Sequence, residues 1–133
     1  MKRLALVAAA LAAACATAPV QDAASLAGRY QLVEINGTAV PAPSPTEASV
    51  TMQGGTLRLE DGRYWLELSA ATNDTPSGRS HALNGTFTVT EDALAFTPAA
   101  DSEGDPVTFR VAGRGRLLTL RDPMGHSWTF RRQ

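Results

Sequence analysis

From Leu26 onward, apolar side chains recur at every second position in short runs, and this period of two constrains the fold more than anything else in the chain. Tyr64, Leu66 and Leu68 alternate with Trp65 and Glu67, and Phe87 and Val89 with Thr86, Thr88 and Thr90. Val107, Phe109 and Val111 alternate with Thr108 and Arg110, and Trp128 and Phe130 with Thr129 and Arg131. A helix repeats its apolar face every three to four residues, whereas a half-buried strand repeats it every two. Asp61-Gly62, Glu91-Asp92, Gly113-Arg114-Gly115 and Asp122-Pro123-Met124-Gly125 separate the runs and read as turns between antiparallel neighbours.

Pairing across the turns tests the alternation. A two-residue turn at Asp61-Gly62 sets Leu59 against Tyr64 and Leu57 against Leu66 on one face. On the other face it sets Arg58 against Trp65, where a guanidinium over an indole is favourable. A turn at Glu91-Asp92 pairs Val89 with Leu94 and Phe87 with Phe96. A turn at Arg114-Gly115 would pair Val111 with Leu118 and Phe109 with Leu120. Val50 and Met52 are even-numbered inward candidates, yet Leu57 and Leu59 are odd, and Gly54-Gly55 lies between. Either a hairpin turn or a bulge in one long strand would shift the parity by one. The bulge is preferred, because it gives eight strands, near 28–35, 49–60, 63–71, 82–90, 93–98, 106–112, 115–121 and 126–132.

An even number of strands closes an antiparallel barrel without edges. The expected fold is therefore all-β, an eight-stranded up-and-down barrel. The short turns at 61–62, 91–92 and 113–115 would form a floor, and the connections at 36–48, 72–81, 99–105 and 122–125 a mouth. Six inward rings, Tyr64, Phe87, Phe96, Phe109, Trp128 and Phe130, can fill most of so narrow a barrel.

Upstream, the basic start Met1-Lys2-Arg3, the apolar run Leu4 to Ala14 and the small residues before Cys15 read as a secretory signal peptide. The expected organisation is a signal peptide over 1–14, a tether over 15–25 and a barrel domain over 26–133. Leu11-Ala12-Ala13-Ala14-Cys15 resembles a bacterial lipoprotein box, although Ala12 stands where that family prefers Leu. The resemblance implies acylation of Cys15, palmitate included, and a membrane-anchored lipoprotein of the bacterial cell envelope, in the periplasm or on the outer surface. Ordinary cleavage that leaves Cys15 as a free thiol, or cleavage after Ala18, is the alternative. A single cysteine forms no disulfide within the chain.

The stretch Leu26-Ala-Gly-Arg-Tyr-Gln-Leu-Val-Glu-Ile-Asn-Gly37, together with Asp61-Gly62-Arg63-Tyr64, Asn84-Gly-Thr-Phe-Thr-Val89 and Trp128-Thr-Phe-Arg-Arg132, resembles small bacterial lipocalin-like lipoproteins. Its opening also looks like META-type lipoprotein domains and bacterial metalloprotease-inhibitor barrels. The resemblance implies the barrel fold and at most a binding role, since fold does not carry function.

Little in the chain points to catalysis, a cofactor or a metal. His81 and His126 belong to no ligand spacing, and no Gly-x-Ser-x-Gly elbow exists. Asp101-Ser-Glu103-Gly-Asp105 begins like a calcium loop but continues with Pro106 where Gly is needed. Asn36-Gly37 and Asn84-Gly85 read as turn and backbone chemistry rather than as glycosylation acceptors.

After removal of the signal peptide the net charge is −3, which argues against nucleic acid as a partner. Residues 15–105 carry −8 and residues 106–133 carry +5, so cross-strand pairs such as Arg131 near Glu34 are expected on closure. The mouth loops, including Glu47 and Asp122, sum to −5, which disfavours anionic ligands there. Position alone nominates Asp74, Arg79, His81, Asp101, Glu103, Asp105 and His126 for contact with a ligand or partner. The expected role is non-enzymatic: the barrel binds a small apolar or cationic molecule at its mouth. The alternative is a protein–protein module of the envelope, a structural lipoprotein or a protease inhibitor.

Overall fold

The structure is a computed structural model and describes residues 23–112 and 115–133. The expected signal peptide, Cys15 and most of the expected tether lie outside the described residues. A single helical turn, α1 (Ala23–Leu26), leads into β1 (Gly28–Ile35), and no other helix follows among the described residues. Two short strands, β2 (Thr38–Ala39) and β3 (Ala42–Pro43), precede the long β4 (Thr51–Glu60). The remaining strands are β5 (Arg63–Ala71), β6 (Arg79–Thr90), β7 (Ala93–Pro98), β8 (Val107–Val111), β9 (Leu117–Arg121) and β10 (Ser127–Arg132). Each strand from β4 to β10 pairs antiparallel with the next, and β1 pairs with both β10 and β4. Eight antiparallel strands thus close into a barrel. β1 and β4 meet only over Gly28–Gln31 and Thr56–Leu59. Toward the mouth β2 pairs with β1 and β3 with β4, and buried Ala42 joins the core there.

The turns follow their chemistry. Asn36 and Gly37, and Asp61 and Gly62, all have positive φ, the requirement of a two-residue hairpin turn with the twist of its strands. The expected pairs Leu59–Tyr64, Leu57–Leu66, Val89–Leu94 and Phe87–Phe96 are all present. Gly54-Gly55 lies inside β4 and not at a hairpin. The register slips between Met52 and Gly54, so Gln53 is the extra residue, and Met52, Leu57 and Leu59 are all buried. A second slip between Leu32 and Glu34 does the same in β1, burying both Leu32 and Ile35.

Four expectations are corrected. Val111 faces Leu120 rather than Leu118, because Gly115-Arg116 and not Arg114-Gly115 make the turn, with Gly115 at φ 75°. The shift is two residues, so the inward face of β9 is unchanged, and Leu118 and Leu120 are both buried. β6 begins at Arg79 instead of near 82; residues Arg79–Asn84 pair with β5 beyond the end of β7, whose Pro98 faces Gly85. Asn84-Gly85 is mid-strand: a Cβ on Gly85 would run into the Thr97 carbonyl and lie 2.8 Å from the Tyr64 ring. Arg131 faces Gln31, whereas Glu34 faces Thr129, so closure does not set that acid against that base.

The core runs through the barrel. Tyr64 stacks on Phe96 with centroids 4.2 Å apart, and Phe109 meets Phe96 edge-on at 5.4 Å. Phe87, Phe96 and Phe130 are buried, while Phe109 and Trp128 are only half-buried. Deleting a buried ring leaves a cavity that costs ~3–5 kcal/mol, against ~5–15 kcal/mol for a whole domain. Phe96→Ala is therefore expected to lower the denaturation midpoint severely. Thr88→Ala, exposed on the outer wall, should leave it nearly unchanged. Equal losses in urea melts of the two variants would contradict the inward face described here.

Candidate functional site

The lumen divides into a sealed floor and an open upper half. At the floor, Arg132 of β10 donates from Nη1 to the Ala27 carbonyl at 2.8 Å and from Nη2 to the Ser25 carbonyl at 3.1 Å. Its Nη2 also donates to the Tyr30 hydroxyl at 2.8 Å, and that hydroxyl donates in turn to the Leu26 carbonyl at 2.7 Å. These bonds fasten α1 under the barrel, with Leu26 buried as a plug. Burial pushes the Tyr30 phenol above its usual range, and the Arg132 guanidinium partly opposes this. Burial likewise raises Tyr64.

Above the Phe96 ring the side chains stop short of filling the barrel. A cavity of about 190 Å³ remains, walled by Leu66 and Leu68 of β5, Val107 and Phe109 of β8, Leu120 of β9 and Trp128 of β10. The expectation of six space-filling rings therefore holds for the lower lumen alone. Phe109 and Trp128 line this space instead of closing it.

Asp122 is the one charged residue of the cavity lining. Its Oδ1 accepts from the Met124 and His126 backbone amides at 3.0 and 2.9 Å, and its Oδ2 accepts from Trp128 Nε1 at 3.2 Å. One carboxylate thus folds the last mouth loop and aims the indole. Asn36 ties the same loop to the β1–β2 turn, its Oδ1 accepting from the Ser127 amide at 2.9 Å and its Nδ2 lying 3.4 Å from His126 Nδ1.

The seven residues nominated by position fare unevenly. His126 is part of this tied loop. Arg79 and His81 are exposed on β6, opposite Ala70 and Leu68, rather than in a loop. Asp74, Asp101, Glu103 and Asp105 are exposed in the connections on either side of β6 and β7. None of the seven forms an ion pair with another, the one ion pair among the described residues being Arg110–Asp92 at 3.4 Å. Among the described residues no three His, Cys, Asp or Glu side chains converge as metal ligands would. Asp122 and the cavity wall were the features that sequence reasoning missed as a site. Their signal was present in Asp122-Pro-Met-Gly125 followed by Trp128, an acid in a turn close to an inward ring.

Removing the Asp122 carboxylate leaves two amides and one indole without their acceptor, at about 1–3 kcal/mol for each group that stays buried. Asp122→Ala is expected to lower the melting temperature and to change the Trp128 fluorescence, with far-UV circular dichroism retained. An unaltered Trp128 signal would show that the indole is held by packing alone. Comparisons with protein-family models, curated proteins and solved structures return no match.

Proposed function

We propose that this barrel is a non-enzymatic binding module that takes a small apolar or cationic molecule through its mouth, exported and held to the bacterial envelope by acyl chains on Cys15. The observation that carries the binding half is the apolar cavity beneath the mouth, rimmed by Asp122. Its volume of about 190 Å³ suits one ring or a short alkyl chain; apolar cavities of ~150 Å³ already bind benzene. The acidic loops above it favour a ligand whose charge, if any, is positive. The reading asks for no reaction: hydrocarbon dominates the lining, and the Asp122 carboxylate is engaged in three hydrogen bonds. The anchoring half rests on the signal-like start, on Cys15 and on the resemblance to lipocalin-like lipoproteins.

Two measurements test the halves separately. In titrations followed by Trp128 fluorescence, toluene and benzylamine should bind saturably and benzoate at least about tenfold more weakly, since charge at the mouth sets that difference. Val107→Phe should abolish binding by filling the space, at ~1–3 kcal/mol of stability. Absence of saturable binding by all three probes would overturn the lumen reading. In fractionation, Cys15→Ala should move the protein from membrane to soluble fractions, and unchanged membrane association would overturn the anchor.

A further inference from the structure

The outer wall carries a second arrangement, unrelated to the lumen. One continuous cross-strand row runs over four strands: Arg29 of β1 faces Arg58 of β4, Arg58 faces Trp65 of β5, and Trp65 faces Asn84 of β6. These positions alternate with buried Tyr30, Leu57, Leu59 and Tyr64, so the row lies on the outside. Two like charges directly opposite one another destabilise a sheet unless something offsets them. Among the described residues no ion pair does so; what the Arg58 guanidinium meets is the face of Trp65, with Glu67 lining one groove with both. Neither Arg29 nor Arg58 makes an ion pair or a side-chain hydrogen bond among the described residues. The Arg58 guanidinium carbon lies over the Trp65 ring, 3.9 Å from its centroid, and its Nε is buried without a partner. That Nε is closed to solvent, so the donors Arg58 offers to a ligand in the groove are its Nη groups. The row lines a groove of about 320 Å³.

We infer that this row is a phosphate-binding site, in which Arg29 and Arg58 hold the phosphate oxygens, Asn84 offers a further donor, and Trp65 fixes the Arg58 fork. Guanidinium forks match phosphate oxygens two at a time. Two arginines at opposed positions bring two positive charges, which suit a phosphate monoester, with up to two negative charges, better than a carboxylate, with one. Glu67 also lines the groove, diagonal to Arg58 and opposite Thr56. Its carboxylate opposes an anion, so it sets how tightly the site binds. A soluble phosphate monoester and a phospholipid headgroup of the same kind present the same chemistry to the site.

The test uses the Cys15→Ala chain, so that acyl chains make no contribution. Inorganic phosphate and vesicles containing phosphatidic acid, whose headgroup is a phosphate monoester, are each titrated at constant ionic strength, with heat and Trp fluorescence as readouts. Saturable binding of inorganic phosphate identifies a soluble source; binding to vesicles alone identifies the headgroup. In either arm Arg29→Ala and Arg58→Ala should each weaken binding about tenfold or more, the scale of a lost charge-assisted pair. Arg58→Lys should also weaken it, because the charge stays and the fork is lost. Glu67→Gln should strengthen it. Arg29 is exposed, so its variant keeps the test decisive if Arg58→Ala fails to fold. No saturable binding in either arm, or binding indifferent to Arg29→Ala, overturns the site, as does a Glu67→Gln variant that binds more weakly.

Discussion

The contact on which the rest of this barrel depends is the one between Arg132 and Tyr30. A closed sheet needs its last strand to find its first, and backbone pairing alone leaves the bottom of the cylinder open to water. Arg132 ends β10 and reaches under β1 to two carbonyls at the entrance of the chain. Tyr30 completes the arrangement by accepting from the guanidinium and donating to the Leu26 carbonyl. The phenol can donate only while protonated, and burial, which raises its pKa, favours that state. A charged group is tolerable there because its donors meet oxygens within the protein. The seam and the floor are thereby secured by one side chain.

With the floor fixed, parity decides what reaches the lumen. β1 and β4, whose contact closes the sheet, each contain one extra residue. Each slip lets a strand that begins with one inward set finish with the other, so Met52 and Leu57, or Leu32 and Ile35, point to the same interior. Bulges also increase local twist and bend the strand that carries them. β1 and β4 separate above the segment where they pair, and the space is taken by β2, β3 and the buried Ala42. The result is a barrel packed tightly below Phe96 and hollow above it.

Much of this was readable in the residues. The alternation around Tyr64, Phe87 and Trp128, the Asp61-Gly62 turn and the parity conflict between Met52 and Leu57 determine an eight-stranded closed sheet with little freedom left. The stacking of Arg58 on Trp65 followed from the same pairing. Other features depended on quantities that a pattern does not contain. The β8–β9 register rests on which of two adjacent residue pairs forms the turn, and both choices bury the same face of β9. Whether six rings fill a lumen depends on rotamers and on the barrel's cross-section, so Phe109 and Trp128 could line a void or close it. Loop position places the acids of the mouth together in sequence but does not say that they converge. Asp122 stood apart because its role lies in hydrogen bonds to backbone amides and to an indole six residues away.

The floor clamp also dictates when the protein can become itself. Arg132 meets partners 102 to 107 residues earlier in the chain, and the β1–β10 seam joins residues 93 to 102 apart. Folding slows as contacts join residues farther apart in sequence, because loop entropy is spent before such contacts repay it. A growing chain can assemble the β4–β7 hairpins early, since their partners are neighbours. It cannot close the cylinder until β10 has emerged. Until then the apolar faces of β1 and β9 have no shared interior, and the nascent chain presents them as open edges. The strand that joins β9 to β1 is therefore the one that ends this exposure to aggregation.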